Sequence, residues 1–234
     1  MSLSSEIRTN IFELIVAVLL GVGALGGGWA GYQANQWGAT ATEDYGKAAT
    51  TATKGSTAFN RGVAIANRDS QLDIQGKQLV LQAMTAKPEE ELAIERDMTI
   101  AKYLYLRQMS DAGYKALKLP AEFRTDDREK ATQIPDEAMY EVLEAELTPE
   151  YMQEVLTDGN AQFAEADKVF AEGQRVSGVS TKFGLDGMLF TITLFLGGIC
   201  LVVKSRVKWG FIAVGYVSAI YATIKLFGLP WYPS

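Results

Sequence analysis

The chain has 234 residues, of which 28 are acidic and 22 are basic, so its formal net charge is −6 at pH 7. It has no histidine, and its single cysteine, Cys200, stands in an apolar run. This composition excludes Ser-His-Asp and Cys-His catalysis, histidine-ligated zinc and disulfides within the chain. The acidic excess disfavours nucleic acid and anionic lipid as partners.

The first apolar run, Ile11–Tyr32, contains one charged residue, Glu13, and ends in aromatic residues. As a helix it would be about 33 Å long, enough to cross a bilayer core of roughly 30 Å. It is longer than the apolar part of a signal peptide, and a single Arg precedes it. Residues 1–32 are therefore predicted to contain the first transmembrane helix.

Two further apolar runs lie near the C-terminus, at Phe183–Val203 and Trp209–Phe227. The short connection between them carries Lys204, Arg206 and Lys208, and positive residues in short loops stay on the cytoplasmic side. The sequence thus predicts three spans, with the N-terminus in the cytoplasm and residues 33–182 on the outer side. The tail of segment 209–234 is also expected outside, with Trp231 and Tyr232 in an aromatic belt beside Trp29 and Tyr32.

Small residues recur every seven positions after the first span, and no proline interrupts the chain before Pro88. This spacing predicts that the first helix continues to about Thr85 along a seam that a second helix can approach closely. Its glycines favour a bend or break at some point. The first series is Ala34, Ala41, Ala48, Gly55 and Gly62, and a second is Gly38, Tyr45, Ala52, Phe59, Ala66 and Asp73.

The helix that leads into the second span is the expected partner of this seam. It is predicted to begin at Thr148-Pro149, where a capping residue precedes a proline, and to run antiparallel to the first helix. Its small and aromatic residues also repeat every seven positions: Phe163, Phe170, Ser177 and Gly184, and Ala166, Gly173, Ser180 and Gly187.

Shorter elements are predicted between the two long helices: a helix at Pro88–Ala112, a loop at Tyr114–Ile134 and a short helix at Pro135–Leu147. Tyr103, Tyr105 and Tyr114, with Leu104 and Leu106, are expected to form a small core there. No stretch alternates with the period of a strand, so the fold class is all-α, an integral membrane protein with long antiparallel helices that project from the membrane.

Several segments resemble a widespread family of uncharacterised bacterial three-span membrane proteins with a large helical insert between spans 1 and 2. The similar segments are WAGYQANQW at Trp29–Trp37, LPAEFR at Leu119–Arg124, the helix at Thr148–Arg175 and LFTITLFLGGI at Leu189–Ile199. The resemblance implies three spans in a bacterial inner membrane with a periplasmic insert. It implies no activity and no site residues.

The glycines of the first span allow two interpretations. Gly23, Gly27 and Gly31 form a G-x-x-x-G-x-x-x-G series, and smooth faces of this kind let membrane helices touch. The partner is either span 2 or 3 of the same chain or a second copy around a ring axis. The same pattern fits both.

Three charged residues fall within the apolar runs. Glu13 is interpreted as part of a capping box with Asn10, with possible pairing to the basic loop, or as part of an ion pathway. Asp186 and Lys225 are expected to form an ion pair near the outer face, because membrane charges are usually paired or functional. The acidic clusters Glu89–Glu91 and Asp126-Asp127 are interpreted as solvated segments rather than cation sites.

These observations predict a protein without catalytic residues, metal or cofactor. It would self-assemble as a homo-oligomer or join other membrane-protein subunits in the bilayer. An oligomeric channel lined by span 1 is the alternative, with Gly23, Gly27 or Glu13 facing its axis. An enzyme is the least favoured hypothesis, because the carboxylates and tyrosines form no recognisable constellation.

Overall fold

A computed structural model describes residues 3–120, 124, 134–203 and 205–233, with side chains described from residue 10 onward. Every regular element in these ranges is helical, as predicted. The long helices are α1 (Leu3–Thr85), α5 (Pro149–Val202) and α6 (Lys208–Phe227). Between α1 and α5 lie a 3₁₀ turn (Pro88–Glu90), α2 (Glu91–Tyr103), a π-helical turn (Leu104–Gln108), α3 (Asp111–Ala116) and α4 (Asp136–Glu141).

The long helices end where the sequence signals place them. α1 ends at Thr85, three residues before Pro88, and α5 begins at Pro149, directly after Thr148. α1 is continuous despite its glycines, so no break occurs. α1, α5 and α6 are long and apolar enough to span a membrane.

Three sequence predictions for the middle segment are wrong in detail. Pro88–Ala112 is not one helix, because Ser110 stops it and caps α3 by accepting a hydrogen bond from Gly113 N at 3.0 Å. Tyr114 is in α3 rather than in a loop, and most of the predicted loop lies outside the described residues. The helix expected over Pro135–Leu147 is only the six-residue α4, after which the chain turns.

The helices group into two compact units. The span unit comprises Met1–Ala49 and Asp167–Ser234, and the head unit comprises Thr50–Ala166. In the span unit, α1 and α5 are antiparallel: Ser180 Oγ donates to the carbonyl of Ala34 at 2.7 Å, and further along both helices Gly26 lies against Phe190. α6 packs on this pair, and its Tyr216 hydroxyl donates to the carbonyl of Ile15.

The C-terminal tail folds back onto α1 in the span unit. The Trp231 and Trp29 rings are 5.7 Å apart, and the backbone N–H of Tyr232 donates to the buried Gln33 at 2.7 Å. Tyr232 packs edge-on against Trp37, with ring centroids 5.2 Å apart. The tail thus completes an aromatic cluster at one level of the bundle, as expected for residues at a membrane interface.

The head unit has its own apolar core between the end of α1 and helices α2 to α4. Tyr105, Leu106 and Tyr114 are buried in this core, as predicted, whereas Tyr103 is exposed. Tyr103 lies two residues before Tyr105 on a helical segment and therefore points to a different face. The other buried members are Val80, Ala83, Met98, Ala101, Met109, Leu117, Leu119, Ile134, Met139 and Val142.

Candidate functional site

The glycines of α1 divide between a buried face and an exposed face. A methyl group at Gly23 would lie 2.9 Å from Leu194 Cγ, and one at Gly27 would lie 3.4 Å from Phe190 Cβ. At Gly31 no heavy atom would lie within 4 Å. Positions four residues apart rotate by about 40° around a helix, so this series passes from the contact with α5 to the surface.

Within the first apolar run, Gly26 makes the closest contact of the glycines, and the sequence analysis did not single it out. A methyl group there would lie 2.5 Å from Cε1 of Phe190, whose ring is fully buried. The absence of a side chain at Gly26 therefore makes room for the ring of Phe190 between α1 and α5. The signal in the sequence was the run Gly26-Gly27-Gly28, which offers a small residue on three faces at once.

A continuous row of exposed small residues follows the opposite side of α1. Its members are spaced four and three residues apart, so they share one helix face. No heavy atom lies within 4 Å of a methyl group placed at Gly21, Gly28 or Gly31. The residues of this small-residue face are Ala17, Gly21, Ala24, Gly28 and Gly31, all of which are exposed.

Glu13 extends the small-residue face toward the N-terminus, four residues before Ala17. Its side chain is exposed, and it forms no ion pair with the described residues. The capping box with Asn10 is wrong, because α1 begins at Leu3 and both residues lie inside the helix. The Nζ atom of Lys208 instead lies 3.9 Å from the centroid of the Phe12 ring, and Lys204 is outside the described residues.

The other exposed faces of the span unit carry large side chains. α5 presents Met188, Ile192 and Phe195, and α6 presents Val217, Ile220 and Ile224. Such side chains suit contact with lipid chains, whereas a smooth row of Ala and Gly suits close contact with another helix. The small-residue face therefore differs in kind from the rest of the apolar surface.

The seam residues of the long helices lie at or near helix contacts within each unit. In the span unit, Ala41 and Ala48 are buried and Ala34 is half-buried. In the head unit, a methyl group at Gly55 would lie 3.2 Å from Phe163 Cδ1, and one at Gly62 would collide with the carbonyl oxygen of Val155.

The ion pair expected between Asp186 and Lys225 is not formed. Asp186 is buried, with one carboxylate oxygen lacking a hydrogen-bond partner, while Nζ of Lys225 lies 5.6 Å from the centroid of the Tyr221 ring. Asp186 belongs to the buried row of α5 between Phe183 and Phe190, whereas Lys225 is on an exposed face of α6. The charge of Lys225 still acts on the Asp186 carboxylate, but no ion pair of 4.0 Å or less joins the two side chains.

The most connected polar group of the head unit is Asp69 on α1. Its carboxylate is fully buried and accepts hydrogen bonds from the backbone N–H of Ser110 at 2.9 Å, from the Ser110 hydroxyl and from the Tyr151 hydroxyl at 2.8 Å. Asp69 thereby ties α1 to the start of α3 and to α5. Sequence analysis missed it, although it occupies the next position of the seven-residue series after Gly62.

The buried tyrosines of the head unit are donors rather than reactive groups. Tyr105 donates to the backbone carbonyl of Asp73 at 2.9 Å, and Lys77 holds the Asp73 carboxylate at 3.0 Å. Burial raises the pKa of Tyr105, and the charge of Asp73 raises it further. Burial also raises the pKa of Tyr151, as does its hydrogen bond to Asp69. Both hydroxyls therefore stay protonated at neutral pH.

No candidate metal-binding site is found in the part of the chain that the structure describes. No group of three Cys, Asp or Glu residues is arranged to hold a metal ion there. Glu89, Glu90 and Glu91 are exposed at the start of α2, whereas Asp126 and Asp127 lie outside the described residues.

Comparison with protein-family models, curated proteins and solved structures gives no match for this chain. The resemblance to bacterial three-span membrane proteins thus stays a prediction. A helical bundle that contacts only lipid would carry large apolar side chains on all its exposed faces. The span unit differs because α1 exposes the small-residue face, with Glu13 at one end.

Proposed function

We propose that the chain is a non-enzymatic integral membrane protein that self-assembles into a homo-oligomer, or scaffolds a membrane complex, through α1 and its helical outer segment. Its place would be the bacterial inner membrane. The N-terminus and the loop at Arg206 would be cytoplasmic, and residues 33–182 would be periplasmic. The observation that carries the proposal is the exposed small-residue face of α1.

This face supports self-association because of how membrane helices attract one another. Lipid chains are as apolar as leucine, so helices associate through close packing and hydrogen bonds rather than through hydrophobic burial. Exposed glycines let the backbones of two helices approach each other. This strengthens both the van der Waals packing and the hydrogen bonds between the helices. The contacts of α1 with α5 use Gly23 and Gly26, so Gly21, Gly28 and Gly31 remain for a second copy.

Glu13 supports the same interface independently. A carboxylate on the lipid side of a span is costly, by about 2.5–3.5 kcal/mol at a helix centre and less near its end. Because Glu13 continues the small-residue face, association through that face would remove it from lipid. Its position therefore favours an assembly over a monomer.

The native mass of the complex in mild detergent tests this proposal. We expect the wild-type chain to form an oligomer and Gly21→Leu/Gly28→Leu to dissociate it, since two leucines would hold the backbones apart. Gly210→Leu is the matched control, because Gly210 on α6 is exposed and nothing lies within 4 Å of a methyl group there. A monomeric wild type, or equal masses for the two variants, would contradict the proposal.

A channel lined by α1 is the second candidate, and the position of Glu13 favours it. In a ring built through the small-residue face, the Glu13 carboxylates would meet near the axis at one end, where they would attract cations. Reconstituted protein would then conduct, and Glu13→Gln would reduce cation selectivity. If the protein forms an oligomer that does not conduct ions, the channel hypothesis is contradicted and the scaffold hypothesis is retained.

A further inference from the structure

A cavity of about 580 Å³ opens in the head unit between α1 and α5. Its volume lies in the range of sites that hold small organic molecules, roughly 300–1,000 Å³. Gly62 allows the two helices to approach each other at one side of the cavity. The side chains of Thr57 and Ala58 on α1, which also line the cavity, are short. The lining residues are Thr53, Lys54, Thr57, Ala58, Arg61, Gly62, Ile65, Val155 and Asp158.

Two of these residues are exposed cations on the same helix face. Lys54 and Arg61 are seven residues apart on α1, and Thr57 stands between them. In the described part of the chain neither cation forms an ion pair. Asp158 on α5 is the carboxylate of the lining, so the cavity carries two positive charges and one negative charge.

Lys54 and Arg61 share the lack of an ion pair with Lys87 and Lys118 among the described residues of the head unit. Acidic residues are in excess around them, and six other basic residues of the unit form ion pairs. Those pairs include Lys77 with Asp73 at 3.0 Å and Lys102 with Asp136 at 2.7 Å. What distinguishes Lys54 and Arg61 from Lys87 and Lys118 is that both line the cavity.

The cavity floor is apolar. Ala58 and Ile65 come from α1 and Val155 comes from α5, and all three are half-buried. An apolar floor below two cations favours a ligand with an apolar body and an anionic head. The guanidinium of Arg61 can hold two oxygens of a carboxylate, sulfonate or phosphate, and the ammonium of Lys54 adds a point charge.

We propose that this cavity binds a small amphipathic organic anion, with Lys54 and Arg61 holding its acidic group and Ala58, Ile65 and Val155 contacting its apolar body. This site is independent of the self-association proposed for α1. Asp158 repels the acidic group and thereby limits the affinity.

Isothermal titration calorimetry tests the proposal by measuring the affinity of the full-length protein, in dodecyl maltoside, for 2-naphthalenesulfonate. We expect the wild type to bind this probe at low salt, and Lys54→Gln/Arg61→Gln to weaken binding by about tenfold or more, which is about 1.4 kcal/mol. Lys87→Gln/Lys182→Gln removes the same charge at exposed positions outside the cavity and should change the affinity less than about twofold.

Two further variants separate the charge from the shape of the site. Ala58→Leu fills the floor and should weaken binding with both cations intact, whereas Asp158→Asn should strengthen it. The neutral analogue 2-naphthalenemethanol should bind about tenfold more weakly than the sulfonate. Circular dichroism of each variant verifies that its helices are intact.

The proposal is overturned if the wild type does not bind the probe, or if the two double variants bind it equally. It is also overturned if the neutral analogue binds as tightly as the sulfonate, since the cations would then have no role. A changed native mass for Lys54→Gln/Arg61→Gln would mean that a second copy fills the cavity, and would overturn the small-molecule site.

Discussion

At the residue scale, the small-residue seam of α1 is followed by a buried carboxylate, Asp69, which is hydrogen-bonded to residues of other helices. It lies seven residues after Gly62, and its carboxylate accepts from Ser110 and Tyr151. A buried carboxylate of this kind stabilises the fold only while its donors are in place, because an unmade buried hydrogen bond costs about 1–3 kcal/mol. The junction of α1, α3 and α5 in the head unit therefore depends on this side chain.

Asp69→Ala should destabilise the head unit by about 3 kcal/mol, because the Ser110 N–H, the Ser110 hydroxyl and the Tyr151 hydroxyl would lose their acceptor. Hydrogen exchange of the full-length protein measures this as lost protection in α3 and at the start of α5. Glu89→Ala, at an exposed position, is the control and should leave protection unchanged. Unchanged protection in Asp69→Ala would show that the three hydrogen bonds contribute little.

The raised pKa of Tyr105 predicts a loss of stability at alkaline pH. In the unfolded chain the hydroxyl loses its proton near its ordinary pKa of about 10, whereas in the folded head unit it keeps the proton. The unfolded state therefore binds fewer protons above pH 10, so the free energy of unfolding is retained below that pH and falls as the pH rises beyond it. The loss approaches about 1.4 kcal/mol per pH unit for this one group.

Thermal unfolding of wild type and Tyr105→Phe between pH 8 and pH 11 measures this effect. Phenylalanine cannot titrate, so we expect a shallower alkaline decline for the variant, even though it also loses the hydrogen bond to Asp73. Parallel declines would contradict the assignment.

At the element scale, close approach of α1 and α5 depends on glycines at particular positions. In the head unit, Gly62 faces the carbonyl oxygen of Val155, and a methyl group at Gly159 would lie 2.7 Å from the backbone N of Phe59. Backbone atoms cannot move aside as a flexible side chain can, so these positions set the spacing between the helices. Each glycine costs helix stability locally, and the packing that it permits offsets this cost.

Gly62→Ala should therefore destabilise the head unit by about 1–3 kcal/mol, because the added methyl group forces α1 and α5 apart. The matched control is Gly178→Ala on α5 of the span unit, where no heavy atom lies within 4 Å of the new methyl group. That change should stabilise its helix by up to about 1 kcal/mol. Thermal unfolding in detergent compares the stabilities of the two variants. An equal increase in stability for Gly62→Ala and Gly178→Ala would contradict the close contact at Gly62.

At the scale of the whole molecule, the three apolar helices and the basic connection at Arg206 determine the expected orientation. The positive charges between α5 and α6 favour the cytoplasmic side, and the proposed orientation would then place Ser56 on the opposite side of the membrane. The ring contact of Trp29 with Trp231 is consistent with the aromatic belt expected at one membrane interface.

Thiol labelling tests this orientation. In a Cys200→Ala background, Ser56→Cys should react with a membrane-impermeant maleimide from the periplasmic side, and Ser205→Cys should react only after the membrane is permeabilised. Both serines are exposed, so access to the reagent depends on the side of the membrane alone. The reverse pattern would place the outer segment in the cytoplasm.

The amino-acid sequence by itself determined the helical class, the three apolar runs and the ends of the long helices at Thr85 and Pro149. These features depend on local patterns: proline positions, a capping threonine, and the lengths of uncharged runs. Only the tertiary structure decided that Gly23 and Gly26 contact α5 while Gly28 and Gly31 are exposed. The reason is that several faces of α1 carry small residues, and the face that is buried depends on where α5 and α6 pack. The same holds for the anchoring of Ser110 by Asp69, since this contact joins residues 41 positions apart in the chain.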